Sequence, residues 1–118
     1  MTQGSKIKTR CAQVLKWLKR SWPPPDNMAI RLRVVEELPE CHGAALGVCV
    51  WNEAGDAMLW IKKSTTSESI GTLLHEYSHI ITEGRGECDG HGDEFYIALG
   101  AVERGFHYFG GKELSMTL

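Results

Sequence analysis

Between residues 5 and 22 the chain places Ile7, Cys11, Val14, Leu15, Leu18 and Trp22 within about 100° of arc at the helical period, with Lys8, Lys16, Lys19 and Arg20 opposite. That pattern predicts an amphipathic helix with one buried stripe. Pro23, Pro24 and Pro25 must stop it, because prolines carry no backbone N–H to continue the ladder. The period then changes. Residues 29–35, AIRLRVV, alternate apolar and basic, as a strand with one buried face does. A second strand is expected over 44–51 and a third over 57–61, joined by the turn-forming Asn52, Gly55 and Asp56 into an antiparallel hairpin. The helical period returns over 66–83, where Thr65 and Glu68 are spaced for a capping box and Gly84 suits the position after the helix end. A last helix is expected to begin at Asp93 and end before Gly105, burying Phe95, Leu99 and Val102. Residues 106–118 read as an irregular tail that packs Phe106 or Phe109 against the body. One helix, three strands and two more helices predict an α+β fold whose three-stranded, mainly antiparallel sheet is covered on one face.

Composition narrows the class. With 118 residues, 42% hydrophobic and 24% charged, the chain fits one globular domain spanning 1–118, residues 1–27 being its basic helix and Pro-rich connector. No apolar run nears the ~20 residues of a membrane-spanning helix, so no membrane partner is expected. The first residues lack the apolar core of a secretory signal, and Cys11, Cys41, Cys49 and Cys88 include no C-x-x-C pair. Reduced thiols and a cytoplasmic, intracellular location follow as the expectation. The net charge of -2 conceals an asymmetry: residues 1–35 carry eight Lys and Arg against one acid, a net of +7, and residues 36–118 carry five against fourteen, a net of -9. Such a basic segment suits phosphate contact, which makes Lys8, Lys16, Lys19 and Arg20 candidates for touching DNA.

The third predicted feature is chemical. Residues 75–79, His-Glu-Tyr-Ser-His, have the H-E-x-x-H form of zinc hydrolases. With about 100° per residue, His79 lies about 40° from His75, flanked by Gly71, Ser78 and Thr82. Ile70, Leu73, Tyr77, Ile80 and Ile81 gather on the far side. The helix is therefore expected to bury its apolar stripe against the sheet and aim both imidazoles away from it. Residues i and i+4 stand one above the other, so both can bind one Zn²⁺. Glu76, turned about 100° from His75, is placed to take a proton from water at the metal rather than to bind it.

Two imidazoles do not complete such a site. Asp89, His91, Asp93, Glu94 and Glu103 are the downstream candidates for the third ligand. A metzincin would need Gly at 82 and His at 85, where this chain has Thr82 and Arg85. Glu103 has a suitable long spacing but no supporting signature around it. His91 follows the glycine-rich stretch 84–90, which can reverse the chain, and it immediately precedes the last helix. It is the favoured third ligand. His42 and Cys88 carry ligand chemistry but lack partner spacing.

Taken together, Thr72-Leu73-Leu74-His75-Glu76-Tyr77-Ser78-His79 and His91-Gly92-Asp93-Glu94-Phe95, preceded by a strand ending Trp60-Ile61, resemble the SprT-like (Spartan-type) zinc metallopeptidases. The resemblance covers about residues 57–99 and implies a minimal zincin-like domain. It also implies zinc held by His75, His79 and His91, with Glu76 as general base. The implied activity is cleavage of protein or peptide substrates, in some members proteins crosslinked to DNA. The third strand would then be the edge along which an extended substrate lies. Tyr77, Tyr96, His107 and Tyr108 remain open as oxyanion stabilisers. Two other readings stand beside this one. In a regulatory peptidase of the ImmA/IrrE kind, which cleaves a repressor, Glu94 would be the third ligand. The other is a non-catalytic, zinc-stabilised module that binds nucleic acid through its basic helix.

Overall fold

A computed structural model describes residues 3–38, 45–82 and 92–110. Helix α1 (Gln3–Ser21) leads through a short 3₁₀ turn (Pro25–Asn27) into strand β1 (Ile30–Val35). Strands β2 (Gly47–Trp51) and β3 (Ala57–Lys62) follow, then helices α2 (Thr66–Ile81) and α3 (Asp93–Gly105). The fold is α+β, with three α-helices and a three-stranded mixed sheet among the described residues.

The sheet order is β1-β3-β2, with β1 parallel and β2 antiparallel to β3. This corrects the expectation of a mainly antiparallel sheet with the third strand at an edge. β2 occupies one side of β3 through the hairpin, and β1 pairs on the other side, running in the same direction as β3. Ala57 N donates to Ala29 O at 2.9 Å and Lys63 N to Val35 O at 2.8 Å, which fixes both ends of that parallel pair. The hairpin itself closes on Asn52, whose N donates to Asp56 O at 2.9 Å and whose side chain accepts from Asp56 N at 3.0 Å. Gly55 takes φ 89°, the left-handed conformation that ends a three-residue hairpin loop of this kind.

The period-2 pattern sorts the sheet into two faces. Ala57, Leu59 and Ile61 of β3 are buried on the helix-covered face, in register with Ile30, Leu32 and Val34. They meet Ile7, Cys11, Val14, Leu15 and Leu18 of α1 and Leu73, Tyr77 and Ile80 of α2 in one apolar cluster. The buried stripe of α1 is wider than expected, because Trp17 joins it and meets Trp22 and Phe106 edge-on at 5.5 and 5.6 Å. Phe106 belongs to a wider π-type turn, Phe106–Gly110, that continues α3 where an irregular tail was expected. In α3, Phe95 and Val102 are buried and Leu99 is half-buried.

Helix α2 starts on a side-chain cap. Thr65 Oγ1 accepts from Glu68 N at 3.1 Å, satisfying one of the free N–H groups of the first turn. The reciprocal half of the capping box differs from expectation, since the Glu68 carboxylate accepts from the Ser64 hydroxyl instead. The other end of the helix is tied by Tyr77, whose hydroxyl donates to Trp22 O at 2.6 Å. That bond joins α2 to the end of α1, while burial of Leu73, Tyr77 and Ile80 in the cluster sets the rotation of α2 over the sheet. The direction in which its histidines point follows from this rotation.

Candidate metal centre

With Leu73, Tyr77 and Ile80 turned into the cluster, His75 and His79 stand together on another side of α2, both half-exposed. Their ring centroids are 5.4 Å apart and the rings are inclined by 70°. Two neutral imidazoles at that separation fit the donor set of a zinc site, which binds His nitrogen at about 2.0–2.1 Å. Of the residues expected to flank them, Gly71 is exposed, but Ser78 is fully buried with its hydroxyl donating to Leu74 O at 2.8 Å. Thr82 likewise turns its hydroxyl back onto Ser78 O at 2.9 Å. These side chains serve the helix backbone rather than the space above the imidazoles.

The imidazoles are held by a residue that the sequence reading assigned only to packing. Phe95, in the first turn of α3, stacks on His79 at 4.3 Å and 23° and meets His75 edge-on at 5.0 Å. It is 1% exposed yet stands outside the main apolar cluster. Its contacts with both rings limit their rotation. Tyr96 continues this aromatic group, its ring edge-on to Phe95 at 5.3 Å and largely exposed.

Glu76 lies on the other flank of the pair, 8% exposed. Its Oε2 is 4.0 Å from His75 Nε2, beyond hydrogen-bond range and within reach of a small bridging group. Burial removes water from the carboxylate and pushes its pKa from the usual 4.5 up to about 7. A carboxyl so placed is near half-ionised at neutral pH, the condition in which one group both accepts and returns a proton. Strand β2 forms the wall against it. A Cβ built on Gly47 would lie 2.5 Å from Thr72 Cγ2 and 3.3 Å from Glu76 Cγ, so only glycine allows β2 to come this close. Cys49 lies on the same side of β2, and its thiol is pushed up to about 12, first by burial and then by the charge of Glu76. Cys11, in the core, is pushed up to about 11 by burial, so neither thiol is a ready nucleophile at neutral pH.

β2 is one of the two sheet edges. Lys62 N donates to Leu46 O and Asn52 N to Asp56 O, each at 2.9 Å. Bonded residues alternate along an antiparallel ladder, so Val48 and Val50 turn their backbone groups to β3. The N–H and C=O groups of Gly47, Cys49 and Trp51 therefore point away from β3, to a side where no strand pairs among the described residues.

The remaining expectations divide cleanly. His91, the favoured third ligand, lies outside the described residues, as do the loop 84–90, Asp89, His42 and Cys88. Asp93, Glu94 and Glu103 are exposed. Among the described residues no group of three His, Cys, Asp or Glu is close enough to hold a metal. Tyr77 is removed from the oxyanion candidates, because it is fully buried and its hydroxyl is committed to Trp22 O. Lys8, Lys16, Lys19 and Arg20 lie exposed along α1, and among the described residues no helix is long and apolar enough to cross a membrane. No family model, no curated protein and no solved structure matches the chain.

Proposed function

We propose that this protein is a zinc-dependent endopeptidase of SprT-like type, in which His75, His79 and His91 hold the metal and Glu76 is the general base. One observation carries the reading. Two half-exposed imidazoles share a face of α2 while the intervening glutamate, buried beside them, has its pKa pushed up to about 7. A chance pair of surface histidines has no reason to be accompanied by a desolvated carboxyl, whose burial costs stability. His91 is favoured over Glu94 because it follows the glycine-rich stretch 84–90, which can return it to the pair, and because Glu94 is exposed. Phe95, four positions after His91 in the chain, already rests on both imidazoles.

Zinc, when bound, supplies Lewis acidity toward water and a substrate carbonyl. The chain's own residues do the rest. Glu76 takes a proton from the attacking water and returns it to the leaving amine. Gly47, Cys49 and Trp51 offer backbone donors and acceptors at the β2 edge, beside Glu76, where an extended peptide can add as a strand. The substrate edge is thus β2 rather than the central β3. Tyr96, one of the remaining oxyanion candidates, meets Phe95 edge-on at 5.3 Å, and Phe95 rests on both histidines.

The test is cleavage of an unfolded protein by the zinc-loaded chain, with Glu76→Gln as the control. The variant is expected to keep its zinc and lose at least a hundredfold in rate, the usual scale of a general base. Equal cleavage by the two proteins removes the peptidase reading.

A further inference from the structure

One face of the sheet and the outer side of α3 are both exposed, and their chemistry is opposite. α1 and α2 cover the other face of the sheet with the apolar cluster. On the face that no described helix covers, register places Arg31, Met58 and Val50 in one cross-strand row and Arg33, Trp60 and Val48 in the next. Met58, Trp60, Val48 and Val50 belong to no part of the cluster, and Leu46 and Val50 are 56% and 42% exposed. Arg31 and Arg33 are exposed, and neither pairs with an acid among the described residues, whereas Lys63 is bound to Glu36 at 2.9 Å. The result is an apolar floor with a cationic rim along β1.

Helix α3 presents the complement. Phe95 and Val102 mark its buried side, so at about 100° per residue the opposite stripe holds Asp93, Ile97 and Arg104, with Glu94 beside it. Ile97 is 72% exposed, and both acids are exposed. We propose that the sheet face of one copy docks α3 of a second copy, with Asp93 and Glu94 against Arg31 and Arg33 and Ile97 on the floor around Trp60. The spacings agree when α3 lies across the strands. Ile97 is about 6 Å along the helix from Asp93, and β3 is about 4.8 Å from β1. Arg104, about 16 Å from Asp93, falls beyond β2, which is about 10 Å from β1, and so clears the arginines. A two-fold pairing of like surfaces is disfavoured, because it sets arginine against arginine or acid against acid. The contact is therefore head to tail, and each docked copy keeps one surface to offer, so assembly continues as rings or open chains. One helix on three strands is a small interface, which makes the association weak. Neither surface includes His75, Glu76 or His79, so the proposal stands independently of the peptidase reading.

Sedimentation velocity on the full chain, at concentrations rising to about 1 mM, tests it with two blocked variants. Arg31→Glu with Arg33→Glu disables the sheet face and leaves α3 intact, whereas Ile97→Lys disables α3 and leaves the sheet face intact. The parent is expected to grow in size with concentration, and each variant alone to associate at least about tenfold more weakly. An equimolar mixture of the two variants is expected to form a one-to-one dimer that grows no further, since one intact contact remains between them. General loss of structure does not produce that recovery, and circular dichroism establishes that each variant is folded. Several results overturn the proposal. These are a parent that stays monomeric throughout, which would leave the face to a different partner, a variant that associates as the parent does, or a mixture that behaves as two separate monomers.

Discussion

Replacing Glu76 by Gln should stabilise the metal-free protein, and by an amount that depends on pH. The side chain of Glu76 is only 10% exposed, and burial carries its carboxyl from 4.5 to about 7. At about 1.4 kcal/mol per pH unit, ionising it in place costs about 3 kcal/mol. Between those two values the unfolded chain has released the proton that the folded protein still holds, so stability falls as pH rises through this window. Below pH 4.5 the cost is absent, and above about pH 7 it is fully present. Gln has nearly the same volume and does not ionise. Urea unfolding of chelator-treated protein should therefore give the variant no advantage near pH 4.5 and about 3 kcal/mol near pH 8. With slopes of about 1–3 kcal/mol per molar urea, the midpoint rises by about 1–3 M. Zinc beside the carboxylate favours its charged form, so metal should shrink the difference. A pH-independent difference, or a variant less stable than the parent at pH 8, would refute the claim that desolvation governs this carboxyl.

Other outcomes test the frame around the site. Gly47→Ala should destabilise by about 1–3 kcal/mol, because the new Cβ meets the short, branched Thr72 side chain at 2.5 Å and backbone Trp60 O at 3.1 Å. Adding Thr72→Ser, which deletes the clashing methyl, should restore much of the loss in the same urea titration. Tyr77→Phe leaves Trp22 O without its donor and should cost about 1–2 kcal/mol, while cleavage by the remaining folded protein is unchanged. A large fall in kcat there would instead return Tyr77 to the chemistry. Phe95→Ala should cost about 3–5 kcal/mol and weaken zinc binding by freeing both imidazoles, whereas Phe95→Leu should recover most of the stability but less of the affinity.

Much of this architecture can be read from periodicity, because a helix or strand with one buried face repeats its apolar residues at a fixed interval. Helix α2 was expected over 66–83 and runs Thr66–Ile81, and α3 begins and ends close to its predicted limits. The histidine face followed from the same wheel, since the residues opposite it supply the core. Strand neighbours are harder, because alternation says which face a residue occupies and not which strand lies beside it. A signal for the order was nevertheless present. Residues 57–61 are apolar without a break, the mark of a strand bounded on both sides, whereas 29–35 alternate with arginine as an edge strand does. Phe95 was legible only as a core residue. Its contact with both imidazoles depends on how the chain returns after α2, a long-range arrangement that local spacing does not encode. Burial of Glu76 was equally hidden, because it results from Gly47 bringing β2 against the helix.

The central claim is that three imidazoles, two from α2 and one from residue 91, bind a single zinc ion. Zinc titration followed by isothermal calorimetry, on the parent and on His75→Ala, His79→Ala, His91→Ala and Glu94→Ala, tests it most directly. One tight site per chain, lost or greatly weakened in each histidine variant and intact in Glu94→Ala, is the predicted result. Full zinc affinity in His91→Ala, or its loss only in Glu94→Ala, would contradict the account.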